Sequence, residues 1–173
     1  MNNDLIKNFI RILILTLVQI FVLKEIVLFG DWIKYIEIII YPIGLMLLPL
    51  SIPRFFLLGI AFLTGFWIDI FYDTLGVHAS ACLWMSFARP YVLKYFEPKS
   101  GYTMNQHPVA QELGIFWFMQ YMAVLLAIFT FAYFCMKIFT LVFIVDILNR
   151  TIVSFAISYF ILFLIQIIFD PKS

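Results

Sequence analysis

Apolar residues run along this chain in long blocks, each interrupted by a short cluster of charged, proline or glycine positions, and neither a two-residue nor a narrow helical alternation dominates. Blocks of this kind, about 17–25 residues long, are the length a helix needs to cross the hydrocarbon of a bilayer. The pattern predicts six helices, near 8–28, 35–52, 54–73, 77–96, 113–136 and 147–169, in a single transmembrane domain over 1–173. Lys24 to Lys34, with Gly30 and Asp31, makes the first connection, and Ser51-Ile-Pro53-Arg54 the second, where Pro53 can open a helix. Asp73-Thr-Leu-Gly76 is short enough to force an antiparallel hairpin, and Glu97 to Glu112 is the one long soluble connection. Lys137, Asp146, Asn149 and Arg150 divide the last apolar stretch, with Thr140 to Leu148 open to an interfacial placement. The second block carries Glu37, Pro42, Gly44 and Pro49, which predicts a short, bent helix. Interrupted helices mark sites in some transporters.

Composition strengthens the membrane reading. The chain is 65% hydrophobic and 12% charged, with a mean hydropathy of +1.06, too few charges to cover a water-soluble core. The first apolar run lacks a small-residue cleavage site, so the first helix is expected to remain. A net charge of +1 without a long basic run argues against nucleic-acid binding. Cys82 and Cys135 lie in apolar segments without metal-ligand spacing, and read as small membrane hydrophobes. The tryptophans read as interfacial or packing residues, and His107 as a solvated loop side chain.

Basic residues near helix ends set orientation. An inside N-terminus puts Lys7, Arg11, Arg54, Arg89, Lys94, Lys99 and Lys172 in the cytoplasm, against Lys24, Lys34, Lys137 and Arg150 outside. Both termini are therefore expected to be cytoplasmic.

Polar groups within membrane segments are costly and mark the place to look for function. Ala61, Gly65, Asp69 and Asp73 recur every four residues on one stripe of the third helix, and His78, Cys82, Ser86 and Arg89 form a comparable stripe on the fourth. Small residues permit close helix approach, and the antiparallel hairpin turns both stripes inward or towards a partner. Asp69 and His78 fall at similar depth, within reach of a shared hydrogen bond. Arg89 lies roughly 16 Å below His78, and is expected to snorkel to the cytoplasmic interface beside a kink at Pro90. A hydrolase or metal centre built on Asp69, Asp73 and His78 would need further groups: an intramembrane aspartyl protease needs aspartates on two separate helices. Capping explains the same residues more simply, Asp73 closing a turn and Gly76 adopting a left-handed conformation. No catalytic, cofactor or metal residue is assigned; Ala61, Gly65, Asp69, Asp73, Gly76, His78 and Arg89 are the candidate structural or partner-contact positions. In the last helix Arg150, Ser154, Ser158 and Gln166 give a polar side, read as hydrogen bonding within the bundle in preference to a substrate path.

The run from Gly59 through Gly65, Asp69, Asp73, Gly76 and His78 to Ala79, continuing to Arg89-Pro90, resembles the signature region of the rod shape-determining membrane protein family MreD. Small size, six predicted crossings, the loop after the fourth helix and the Trp117-Phe-Met-Gln-Tyr121 entry into the fifth resemble its members from Bacteroidetes-type bacteria. The resemblance implies a non-enzymatic inner-membrane scaffold of the cell-elongation machinery. Its partners would be the bitopic protein MreC and, through it, the MreB filament, the glycosyltransferase RodA and its transpeptidase. It also implies a fold similar to the six-helix substrate-binding components of energy-coupling-factor transporters. That kinship supplies the alternative, a small-molecule-binding component of a vitamin or micronutrient transporter. Against it, Phe9 to Leu23 contains no alanine or glycine, whereas such components commonly dock through an alanine pattern in that helix.

Overall fold

The computed structural model describes residues 2–24, 36–99, 101–103 and 106–169. Its elements are α1 (Asn2–Val18), whose axis continues through a π-helical turn at Gln19–Leu23, α2 (Pro42–Met46), α3 (Arg54–Tyr72), α4 (Val77–Tyr95), α5 (Ala110–Leu113), α6 (Ile115–Ile138), a 3-10 turn at Leu141–Phe143 and α7 (Ile144–Phe169). Helices are the only regular structure among the described residues. Four of them, over Ile6–Leu23, Arg54–Tyr72, Ile115–Ile138 and Ile144–Gln166, are long and apolar enough to cross a membrane. α4 is as long as α3, each having 19 residues. Its less apolar sequence is accommodated because His78, Cys82, Ser86 and Arg89 are all buried inside the bundle, where α4 packs chiefly between α3 and α6. The expected Lys24–Lys34 connection lies outside the described residues beyond Lys24, as do Asn105 and Lys172.

The predicted second helix, near 35–52, is not a continuous helix. Residues 36–40 are in no helix, α2 is only five residues long, and turns and irregular backbone carry the chain from Leu47 to Pro53. Pro42 marks the break: it lacks an N–H and stands at the first position of α2, where none is needed, while Tyr41 before it is already helical in its backbone angles; α4, by contrast, runs through Pro90 without interruption. The segment nevertheless runs the length of the bundle. Ile38 and Ile40 meet Gln19 near the finish of α1, while the Leu50 N–H reaches the Gln106 carbonyl in the loop after α4, close to where α3 begins. α1, α3 and α6 run in one direction; α4, α7 and the broken segment run in the other.

Tyr41 through Leu48 are all buried, at the centre of the fold, with α1, α3, α4 and α6 around α2. Gly44 lets α2 come within contact of Ile12 on α1, because a Cβ there would stand 3.0 Å from the Ile12 side chain. Apolar surroundings cannot satisfy the backbone groups that a broken helix frees, each costing several kcal/mol in lipid. Polar side chains from the neighbouring helices do so. The Glu37 N–H donates to Ser154 Oγ at 3.0 Å and the Ile39 N–H to Ser158 Oγ at 2.9 Å. Gln19 accepts from the Ile40 N–H at 3.0 Å and donates to the Ile38 carbonyl at 2.9 Å. The outside of the bundle is the reverse of a soluble protein's: Phe55, Phe62, Leu63, Phe66 and Trp67 on α3, Leu13 and Ile14 on α1 and Phe21 in the π-helical turn are exposed.

Candidate functional site at the helical hairpin

α3 and α4 meet at the backbone. Gly65 makes this possible: a Cβ placed there would lie 2.5 Å from the Ala79 Cα and 2.6 Å from the His78 carbonyl oxygen, closer than any side chain tolerates. Ala61, one turn earlier on the same stripe, is fully buried. The close crossing brings the end of α3 against the first turn of α4, whose leading N–H groups have no partner within their own helix.

Asp69 supplies those partners from the other helix. One carboxylate oxygen accepts the His78 N–H at 2.9 Å and the Thr74 hydroxyl, and the other accepts the Ala79 N–H at 2.9 Å. The negative charge also sits at the positive end of the α4 dipole, a favourable placement. The Asp69 backbone carbonyl closes α3 by accepting from the Asp73 and Thr74 N–H groups. One residue thus ends one helix and starts the next, while remaining 3% exposed. Asp73 and Gly76 take left-handed conformations, with φ of 53° and 82°, and turn the chain between the helices. Asp73 is exposed and Leu75, at the tip, fully so.

The expected Asp69–His78 hydrogen bond exists through the His78 backbone and not through its ring. The imidazole instead points into the bundle, where Nδ1 lies 3.1 Å from the Tyr41 hydroxyl. Tyr72 and Tyr133 each place a ring centroid 4.9 Å from it, and Nε2 is buried without a hydrogen-bond partner. Cys82, one turn on, donates to the same Tyr41 hydroxyl at 3.5 Å. At this end of the bundle Lys137 pairs with Glu37, and Lys24 donates to the Phe71 carbonyl at 2.6 Å.

Arg89 corrects the sequence reading most sharply. It does not snorkel to an interface; it is 2% exposed and among the largest fully buried side chains. Its guanidinium donates to the Tyr121 hydroxyl at 2.9 Å and to the carbonyls of Met46 and Leu48, and Tyr121 itself donates to the Met46 carbonyl at 2.9 Å. Met46 ends α2 and Leu48 lies in the turn after it, where backbone acceptors are left over. Sequence reasoning missed this because Arg89 was placed by its depth along α4 alone. The signal available was the broken second segment, whose freed carbonyls call for a buried donor.

Chemically, the hairpin and the Arg89 cluster tie broken or terminating backbone to side chains of other helices. Among the described residues, no group of three His, Cys, Asp or Glu side chains is disposed to hold a metal. Comparison of the chain with known protein families, curated proteins and solved structures finds no match.

Asp69→Asn keeps the shape but leaves one acceptor oxygen for donors that now use two. It is expected to cost about 1–3 kcal/mol, read as a lower unfolding temperature in detergent. Asp73→Asn, exposed at a left-handed position that asparagine tolerates, is expected to stay within about 0.5 kcal/mol of the parent.

Proposed function

We propose that this chain is a non-enzymatic, MreD-like scaffold of the bacterial cell-elongation machinery. It would lie in the inner membrane, crossing it six times, with the broken segment as the second crossing and both termini cytoplasmic. Its direct partner would be an MreC-like bitopic protein, and through it the chain would couple MreB filaments to RodA and its transpeptidase. The observation that carries the reading is the resemblance of the Gly59–Ala79 run and Arg89-Pro90 to that family's signature. The use made of those residues supports it: Gly65, Asp69 and Arg89 are committed to holding helices together, as a scaffold requires. The hairpin tip offers a contact surface, an open depression of about 660 Å³ lined by Phe62, Phe66, Ile70, Asp73, Leu75 and Ala79.

Isolation of the chain from native membrane in mild detergent tests this reading. An MreC-like protein is expected to co-purify, and depletion is expected to round or swell a rod-shaped host. Unchanged shape with no elongation protein recovered would overturn it. A transporter component is the second reading, favoured by the broken crossing beside the unpartnered His78 Nε2. It predicts impaired vitamin uptake on depletion, with co-purification of an ATPase pair instead.

A further inference from the structure

α1 packs on α2 and α3, and α7 packs mainly on α6, which leaves a lateral groove of about 550 Å³ between α1 and α7. That volume lies within the roughly 300–1,000 Å³ of ordinary ligand clefts. The groove is divided along its length. Ile14 and Val18 of α1 with Ile40 and Ile43 of the central segment make one end apolar, and Ile165, next to Gln166 on α7, adds apolar wall beside the other. Lys7 and Arg11, one turn apart on the same face of α1, stand at its other end with Gln166. Asn8 Oδ1 accepts from the Arg11 guanidinium at 3.4 Å, steadying that cation. Gln166 is 4% exposed, lines the groove, and its Nε2 is buried with no hydrogen-bond partner. Lys7 and Val18 are eleven residues apart, so the polar and apolar ends are separated by roughly 16 Å of helix. Two cations and an unsatisfied amide donor at one end, followed by an apolar channel, match an anionic headgroup followed by an acyl chain.

We propose that this groove is a binding site for one anionic phospholipid, its phosphate at Lys7, Arg11 and the Gln166 amide and one acyl chain along Ile14, Val18 and Ile43. Basic pockets between membrane helices hold anionic headgroups in this way. The lipid would fill the gap between α1 and α7 and seal the flank of the non-helical segment.

Native mass spectrometry of the full chain, offered equal amounts of phosphatidylglycerol and phosphatidylcholine with identical acyl chains, tests the site. One phosphatidylglycerol is expected to be retained preferentially. The preference should fall by roughly thirty-fold in Lys7→Gln/Arg11→Gln and should survive in the charge-conserving exchange Lys7→Arg/Arg11→Lys. Lys94→Gln/Lys99→Gln removes the same charge from exposed positions elsewhere and should leave the preference intact. Ile14→Trp, which fills the apolar part and spares both cations, should abolish retention independently of the charge variants. Equal retention of both lipids by the parent chain, an equal loss in the Lys94/Lys99 variant, or a second copy of the chain seated in place of lipid would overturn the proposal.

Discussion

Gly65→Leu is expected to remove the folded protein from the membrane. Adding methylenes to a well-packed interior typically costs about 1–3 kcal/mol, but here the obstruction begins at the first atom. A Cβ would meet the Ala79 Cα at 2.5 Å and the Ala79 nitrogen at 2.7 Å, and backbone atoms cannot turn aside as a flexible side chain can. α3 and α4 must separate, which pulls Asp69 away from the His78 and Ala79 N–H groups and uncaps α4. Gly65→Ala is therefore expected to be harmful as well, at the upper end of that range. Gly59, on the same helix with nothing within 4 Å of its would-be Cβ, is the internal comparison. Gly59→Ala should be neutral or stabilise by up to about 1 kcal/mol through helix propensity. Membrane abundance and unfolding temperature in detergent read both substitutions, and equal behaviour of Gly65→Ala and Gly59→Ala would contradict the close crossing.

Arg89→Leu separates two effects that act in opposite directions. Leucine enters a membrane helix more readily than arginine, by about 3 kcal/mol at the centre of a span, so insertion should be as good as the parent's or better. The folded bundle loses. Tyr121 still donates to the Met46 carbonyl, but the Leu48 carbonyl loses the guanidinium, and an orphaned buried acceptor costs about 1–3 kcal/mol. The space left by a fully buried side chain adds to this. Undiminished membrane insertion with a lowered unfolding temperature is the expected pair of results. Arg89→Lys keeps the charge without the planar fork that serves several acceptors at once, and should fall between the two.

Much of the hairpin was legible in the sequence because its determinants are local. Four-residue spacing placed Ala61, Gly65 and Asp69 on one stripe, and a short link containing Asp73 and Gly76 dictated an antiparallel return with left-handed turn residues. The second segment was legible only as a warning. Pro42, Gly44 and Pro49 indicate a bend, yet hydropathy reads 35–52 as one span, since an apolar stretch looks the same whether helical or extended. The partners of the freed backbone lie far away in sequence. Ser154 and Ser158 are 117 and 119 residues from the N–H groups they accept, and Arg89 is 41 residues from the Leu48 carbonyl. Periodicity shows that such residues share a face; it does not show what that face meets. Arg89 was misplaced for this reason, and the direction of the His78 ring could not be read either, because the Tyr41 that receives it belongs to the broken segment.

A non-helical segment crossing the centre of the bundle, with its backbone satisfied by side chains of other helices, is the central claim of this account. Hydrogen exchange across residues 36–40 in Ser154→Ala/Ser158→Ala tests it most directly. The Glu37 and Ile39 amides are expected to lose protection by roughly ten- to a hundredfold, the equivalent of about 1.4–2.8 kcal/mol, while α3 and α4 keep theirs. Unchanged exchange at both amides would contradict it, since neither would then depend on the serine hydroxyls.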